Sequence, residues 1–189
     1  KELLNFCTVD LSAFYFDIRK DTLYCDPMSS KKRKSTLIIL NIILNALLKW
    51  FAPILSFTTE EIYQLISKKK RSIHLESFMN FPEKFKNIEL NNKWIQLLKI
   101  RDICNLSIEE KRASKEIGSS LEAEITLKLN KEKIKITEGI DFAEFCITSS
   151  ANIQINDSEE IIIETSKAKG NKCPVCWKIS DKPCLRHGK

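Results

Sequence analysis

Glycine and proline are scarce in this chain, with four Gly and five Pro in 189 residues. That scarcity excludes long disordered or low-complexity tracts. No run of about twenty consecutive apolar residues occurs. The nearest approach, Leu37 to Leu48, is interrupted by Asn41 and Asn45, with Lys49 just beyond. These three polar residues stand at i, i+4 and i+8, so they form one stripe on a helix, and no membrane span is expected. Histidine is rarer still, with two in the chain. His74 has no Ser or Cys nucleophile motif to serve. The phosphate-binding patterns G-x-x-x-x-G-K-[ST] and G-x-G-x-x-G are missing, and so is H-E-x-x-H. The neighbouring carboxylates Glu60-Glu61 and Glu159-Glu160 cannot converge on one site within a regular element. The sequence therefore offers no catalytic residues.

What is present is a globular mixture, 43% hydrophobic and 30% charged, in a chain long enough for one sizeable core or two small ones. The net charge of +6 is clustered. Lys31-Lys32-Arg33-Lys34 and Lys68-Lys69-Lys70-Arg71 are compact basic runs, and Lys167, Lys169, Lys172, Lys178, Lys182, Arg186 and Lys189 make the tail basic. Such clustering suits a polyanionic partner. Seven cysteines, an odd number, fit free thiols in a reducing, cytoplasmic compartment better than disulfides. A chain that begins at Lys1 rather than Met reads as a piece of something longer.

The hydrophobic period changes along the chain. Residues 1 to about 24 read as helix, with Asp10 as a cap or kink and Asp26-Pro27 as its end. A basic loop is expected next, then an apolar helix from about Ser35 to Trp50, stopped at Ala52-Pro53. Thr58 and Glu61 have capping-box spacing and open another helix. Residues 72 to 88 form a loop rich in aromatics. A long helix is expected from about Leu90 to Ile117, with Trp94, Leu97, Leu98, Cys104 and Ile108 near one face. Glu109 and Arg112 are placed to pair, and Gly118 is placed to stop the helix. From Leu121 to Leu129 the period becomes two, as in a half-buried strand. Ile134 and Ile136 continue it after a turn at Asn130-Lys131. Further strand candidates are Phe142 to Ile147, Ile153 to Ile155 and Ile161 to Glu164. The fold class is mainly α: a helical segment over 1–118, a small β-rich α+β connecting segment over 119–168, and a cysteine-rich finger over 169–189.

The finger carries the clearest chemistry. Cys173-Pro-Val-Cys176 and Cys184-Leu-Arg-His187 are two pairs of soft ligands, each with two intervening residues. One turn aims both members of a pair at one metal, which is the pattern of a tetrahedral zinc site. Three thiolates and a neutral imidazole fill every position, so one Zn2+ would be structural. Trp177, beside the second ligand, either packs on the finger loops or stacks on an exposed nucleobase.

Several segments resemble one known family. Asn5-Phe6-Cys7 through Tyr24-Cys25-Asp26 resembles the opening of the anticodon-binding helical domain of bacterial-type isoleucyl-tRNA synthetases. Leu48-Lys-Trp50-Phe-Ala-Pro53 through Glu60-Glu61 is similar to that domain's next signature. Ile100-Arg101-Asp102 through Ile117-Gly118 to Ala123 is similar to a third, and Lys172-Cys173-x-x-Cys176-Trp177 resembles the family's terminal finger. The matches run in the family's order and cover nearly all of the chain. Two features depart from the pattern: His187 stands where the family usually has a cysteine, and the spacer between the ligand pairs is shorter.

The resemblance implies tRNA(Ile) as partner and a parent ligase, monomeric and cytoplasmic, that uses ATP to attach isoleucine. ATP would not bind here, because the catalytic and editing domains would be other parts of the same polypeptide. It implies Lys32, Arg33 and Lys34 as phosphate contacts, with Trp177 and Lys178 near the unpaired anticodon bases. The alternative reading is a stand-alone zinc-dependent module that binds nucleic acid or protein.

Overall fold

The structure, a computed structural model, describes residues 1–67 and 71–188. Lys68, Lys69 and Lys70 of the second basic run, and the tail residue Lys189, lie outside the described residues. In chain order the helices are α1 (Glu2–Asn5), a wider π-wound stretch (Phe6–Phe16), α2 (Asp17–Cys25), α3 (Lys31–Phe51), α4 (Ser56–Ile66) and α5 (Ile88–Ala113). Then come β1 (Ala123–Leu129), α6 (Lys131–Thr137), α7 (Phe142–Phe145), β2 (Ser150–Ile155), β3 (Ile162–Lys167), β4 (Asn171–Lys172) and β5 (Ile179–Ser180). The protein is mainly helical with a small sheet. Contacts divide it into two compact units, Lys1–Cys25 with Asn87–Lys189, and Asp26–Lys86. This division does not follow sequence order, because Phe14 from the start of the chain packs against the hydrophobic core that α5 shares with β1.

In the larger unit, β1 is the central strand. Its alternation is complete: Ala123, Ile125, Leu127 and Leu129 are all 0% exposed, while the residues between them are half-buried. β2 runs parallel to β1, and β3 runs antiparallel on its other side. The parallel pairing needs a crossover, which α6 and α7 supply. The inward face meets Leu97, Ile100, Cys104 and Ile108 of α5. Each fully buried aliphatic side chain of this size contributes about 1.5–3 kcal/mol. Phe14, Trp94, Phe142 and Phe145 add edge-to-face aromatic contacts at 5.5–6.3 Å between ring centroids. Arg101 lies over the Phe14 ring at 5.2 Å and donates Nε–H to the Phe145 carbonyl at 2.8 Å.

Five local expectations are corrected here. Asp10 neither caps nor kinks a helix; it lies within the continuous wide-wound stretch. Asn130 does not turn one strand into another. Its side chain caps α6 by accepting from the Lys133 amide at 2.9 Å, so Ile134 and Ile136 are helical. Asp141 likewise caps α7, accepting from the Glu144 amide at 3.2 Å, and this makes Phe142–Phe145 a helical turn instead of a strand. In both cases an Asx side chain at the cap position outweighs β-branched and aromatic propensity. α5 ends at Ala113, before Gly118, and Lys115 takes the left-handed conformation (φ 62°). Leu98, expected on the buried face of α5, is 36% exposed. Glu109 and Arg112 do pair, at 2.6 Å.

The smaller unit packs Leu48 and Ala52 of α3 and its C-terminal end against Tyr63 of α4 and Ile73 of a short turn. Two expectations are also corrected in this unit. The basic run 31–34 is the first turn of α3 and not a loop, because Ser30 caps it by accepting from the Arg33 amide at 3.3 Å. The Thr58–Glu61 capping box does not form, because α4 already begins at Ser56. α3 has a window of mean hydropathy 1.4 and is long and apolar enough, by length and composition alone, to cross a membrane. The polar stripe is nonetheless engaged: Asn45 donates to the Asn41 carbonyl, and Lys49 pairs with Glu76 at 3.7 Å.

Candidate metal centre and nucleic-acid interface

The finger hairpin is shaped by its backbone. Gly170 has φ +113°, and a Cβ there would lie 2.2 Å from the Ser180 backbone. Only glycine lets β4 and β5 approach so closely. At the turn, the Trp177 amide donates to the Cys173 carbonyl and the Cys173 amide to the Lys178 carbonyl, both at 2.9 Å. Trp177 itself is left-handed, with φ 63°. This turn folds Cys173 and Cys176 inward, leaving them 5% and 6% exposed. Ser149 ties the hairpin to the sheet: its hydroxyl accepts from the Ile179 amide at 2.7 Å and donates to the Leu121 carbonyl.

Cys173, Cys176, Cys184 and His187 converge. Their four donor atoms all lie within 4.8 Å of one another. The Cys176 and Cys184 sulfurs are 3.8 Å apart, and His187 Nδ1 is 3.4 Å from Cys173 Sγ and 3.3 Å from Cys184 Sγ. A four-coordinate ion with metal–sulfur bonds of about 2.3 Å and a metal–nitrogen bond of about 2.0 Å needs edges of roughly 3.8 and 3.5 Å. The residues therefore fit a closed tetrahedral metal site. The short spacer and the terminal histidine do not prevent closure.

The surroundings favour the thiolate at Cys173 and Cys184 and oppose the ligating form at Cys176 and His187. Backbone N–H groups of Cys176 and Val175 hold the Cys173 thiol down to about 6. Burial resists ionisation at Cys184, yet the Arg186 and His187 amides keep its thiol below the ordinary range. Burial pushes the Cys176 thiol up to about 11, so that cysteine most needs a cation to become a thiolate. His187 has its pKa raised, first by the Cys25 carbonyl. That carbonyl can only accept, so Nε2, at 3.0 Å, carries the proton and Nδ1 faces the sulfurs. Arg186, next in sequence, pairs with Asp21.

Cys25, Asp21 and Ser149 are the supporting residues that sequence reasoning missed. Nothing in their local pattern marks them; each acts on a residue 30 or more positions away.

The nucleic-acid candidates fall into both units. Lys32, Arg33 and Lys34 form the first turn of α3, where Arg33 donates to the Asp26 carbonyl at 2.8 Å. Trp177 and Lys178 are in the finger. Trp177 is 59% exposed, and the Lys172 ammonium lies over its ring at 5.5 Å. Among the described residues, no carboxylate forms an ion pair with Lys172, Lys178 or Lys182.

Residues 1–127 match the family model for the anticodon-binding domain of tRNA ligase. The chain belongs to this anticodon-binding family. Curated relatives include the isoleucine–tRNA ligase of Pelagibacter ubique, 66% identical over 187 residues, which cover 99% of this chain and 21% of that protein. The isoleucine–tRNA ligases of Agrobacterium fabrum and Gluconobacter oxydans are 38% and 40% identical, over 95% and 94% of this chain. The chain thus spans about a fifth of the length of these relatives.

Proposed function

We propose that this chain is the tRNA-recognising, C-terminal part of an isoleucine–tRNA ligase, with tRNA(Ile) as its partner. The observation that carries this is the anticodon-binding family match over residues 1–127, in a chain whose curated relatives are isoleucine–tRNA ligases. The parent enzyme, cytoplasmic and monomeric, joins isoleucine to its tRNA with ATP. The catalytic and editing domains of the same polypeptide do that chemistry, and ATP does not bind here.

Three thiolates and an imidazole select zinc over harder cations. One Zn2+ would hold the finger loops together and supply no reactive position. Lys32, Arg33 and Lys34 meet phosphates on the anticodon stem. Their place in the first turn of α3 adds side-chain charge to the positive end of the helix dipole, so an anion there is favoured by both. Trp177 and Lys178 meet unpaired bases, where RNA sequence is readable.

The test is filter binding of the zinc-loaded chain to transcripts of tRNA(Ile), a non-cognate tRNA and random RNA, across a salt series. Affinity for tRNA(Ile) should be highest and should fall linearly in log salt. Replacing Lys32, Arg33 and Lys34 with alanine should flatten that slope by one to three phosphate contacts, about 0.7–0.9 per contact. Equal binding to all three RNAs, or salt-independent binding, would overturn the reading.

A further inference from the structure

A cavity of about 360 Å³ lies beside the metal cluster. Its walls come from opposite ends of the larger unit. α2 contributes Ile18 and Tyr24, the finger turn contributes Val175, Trp177 and Lys178, and Ile147 also lines the cavity. The lining is mostly apolar, yet the two aromatics stand largely in solvent: Tyr24 is 83% exposed and Trp177 59%. Tyr24 is almost wholly in solvent, and Trp177 is met by the Lys172 ammonium at 5.5 Å, so an aromatic surface borders the hollow with a cation already beside it. The volume is at the small end of ligand sites, which suits a single planar ring and not a helix or an extended peptide. Lys178 lies at this cavity and also at a second groove across the finger, lined by Lys172 and Lys182 among others. A ring seated in the cavity would therefore bring a polyanionic backbone onto lysines that lack an ion-pair partner among the described residues.

We propose that this cavity is a subsite for one unpaired nucleobase of the bound RNA, stacked against Tyr24 and Trp177, with the flanking phosphates on Lys172, Lys178 and Lys182. The inference rests on the tRNA-binding reading above and assigns it a place. Two contacts hold the walls together. His187 bonds the Cys25 carbonyl, and Arg186 pairs with Asp21, so both fasten the finger to α2. Stacking asks little of base identity, because every base has a π face. Tyr24 therefore contributes affinity, while selectivity falls to polar groups at the rim.

The experiment uses the zinc-loaded chain and anticodon stem-loops of tRNA(Ile) that carry a fluorescent purine analogue at each loop position in turn. One position should be quenched on binding. Tyr24→Ala should abolish that quenching and weaken binding roughly tenfold, with the salt dependence unchanged. Tyr24→Phe should retain both signals, since stacking does not need the hydroxyl. Tyr24 is too exposed for its loss to unfold the unit, and metal content and circular dichroism verify this. If Tyr24→Ala binds and quenches like the parent while the Lys32/Arg33/Lys34 variant is weakened, the subsite is rejected and the tRNA reading stands. If the parent chain binds no stem-loop, the tRNA reading fails and the subsite falls with it.

Discussion

His187 donates its Nε2 proton to the carbonyl of Cys25, 162 residues earlier in the chain, at 3.0 Å. This bond fixes the tautomer, turns Nδ1 toward Cys173 and Cys184, and fastens the finger to the end of α2. Two effects of the histidine are therefore separable. His187→Ala should lose both, lowering metal affinity by at least about tenfold. His187→Cys should keep one ion per chain through a fourth thiolate while losing the bond to Cys25. Competition against a chromophoric chelator measures the first effect, and hydrogen exchange of the α2 amides measures the second. Parent-like metal affinity in His187→Ala would remove the histidine from the ligand set.

Gly170→Ala tests the close approach of β4 and β5. The added methyl would overlap the Ser180 backbone, in a conformation that L residues rarely adopt. The cost should be at least ~2 kcal/mol, confined to the finger. Metal release should become easier, while the β1-centred sheet keeps its exchange protection.

Leu127→Ala tests the core of the larger unit. The side chain is fully buried on the central strand, and its truncation should cost about 2–5 kcal/mol. Urea unfolding monitored at Trp94 should show the midpoint fall with little change in slope. A change near zero would mean that β1 does not hold this core together.

Glu60 provides a pH test in the smaller unit. Its carboxylate accepts from the Gln64 amide and the Ser72 hydroxyl, each at 2.8 Å, and from the Ile73 backbone amide at 2.9 Å. These bonds hold its carboxyl below the ordinary 4.5. A lowered folded value means that the stabilisation is fully present above about pH 4.5 and is lost as pH falls through the folded value. Protection of the Ile73 amide should therefore weaken in acid below pH 4.5. Glu60→Gln should already be weaker at neutral pH and lack that acid step. An identical acid profile in both proteins would rule Glu60 out as the titrating group.

The Cys and His cluster and the central strand were legible in the sequence because their signals are local. A C-x-x-C turn must place two sulfurs on one side, and alternation must place Ile125, Leu127 and Leu129 on one face. The segments after Asn130 and Asp141 are helical and not the expected strands for a related reason. The apolar residues that follow them suit a strand as well as a helix, and the capping side chain tips the balance. Ser30 decides in the same way that the basic run 31–34 is helical.

By itself the sequence determined the helical character, the paired Cys and His residues of the finger, the basic runs and the resemblance to an anticodon-binding domain. Each is carried by residues a few positions apart. Only the tertiary structure decided that α5 buries its stripe against β1, that Cys25, Asp21 and Ser149 support the metal cluster, and that Tyr24 and Trp177 border one cavity. Those relations join groups up to more than 160 positions apart. Such pairings are set by how whole elements bury their apolar faces, a choice that no local period or propensity encodes.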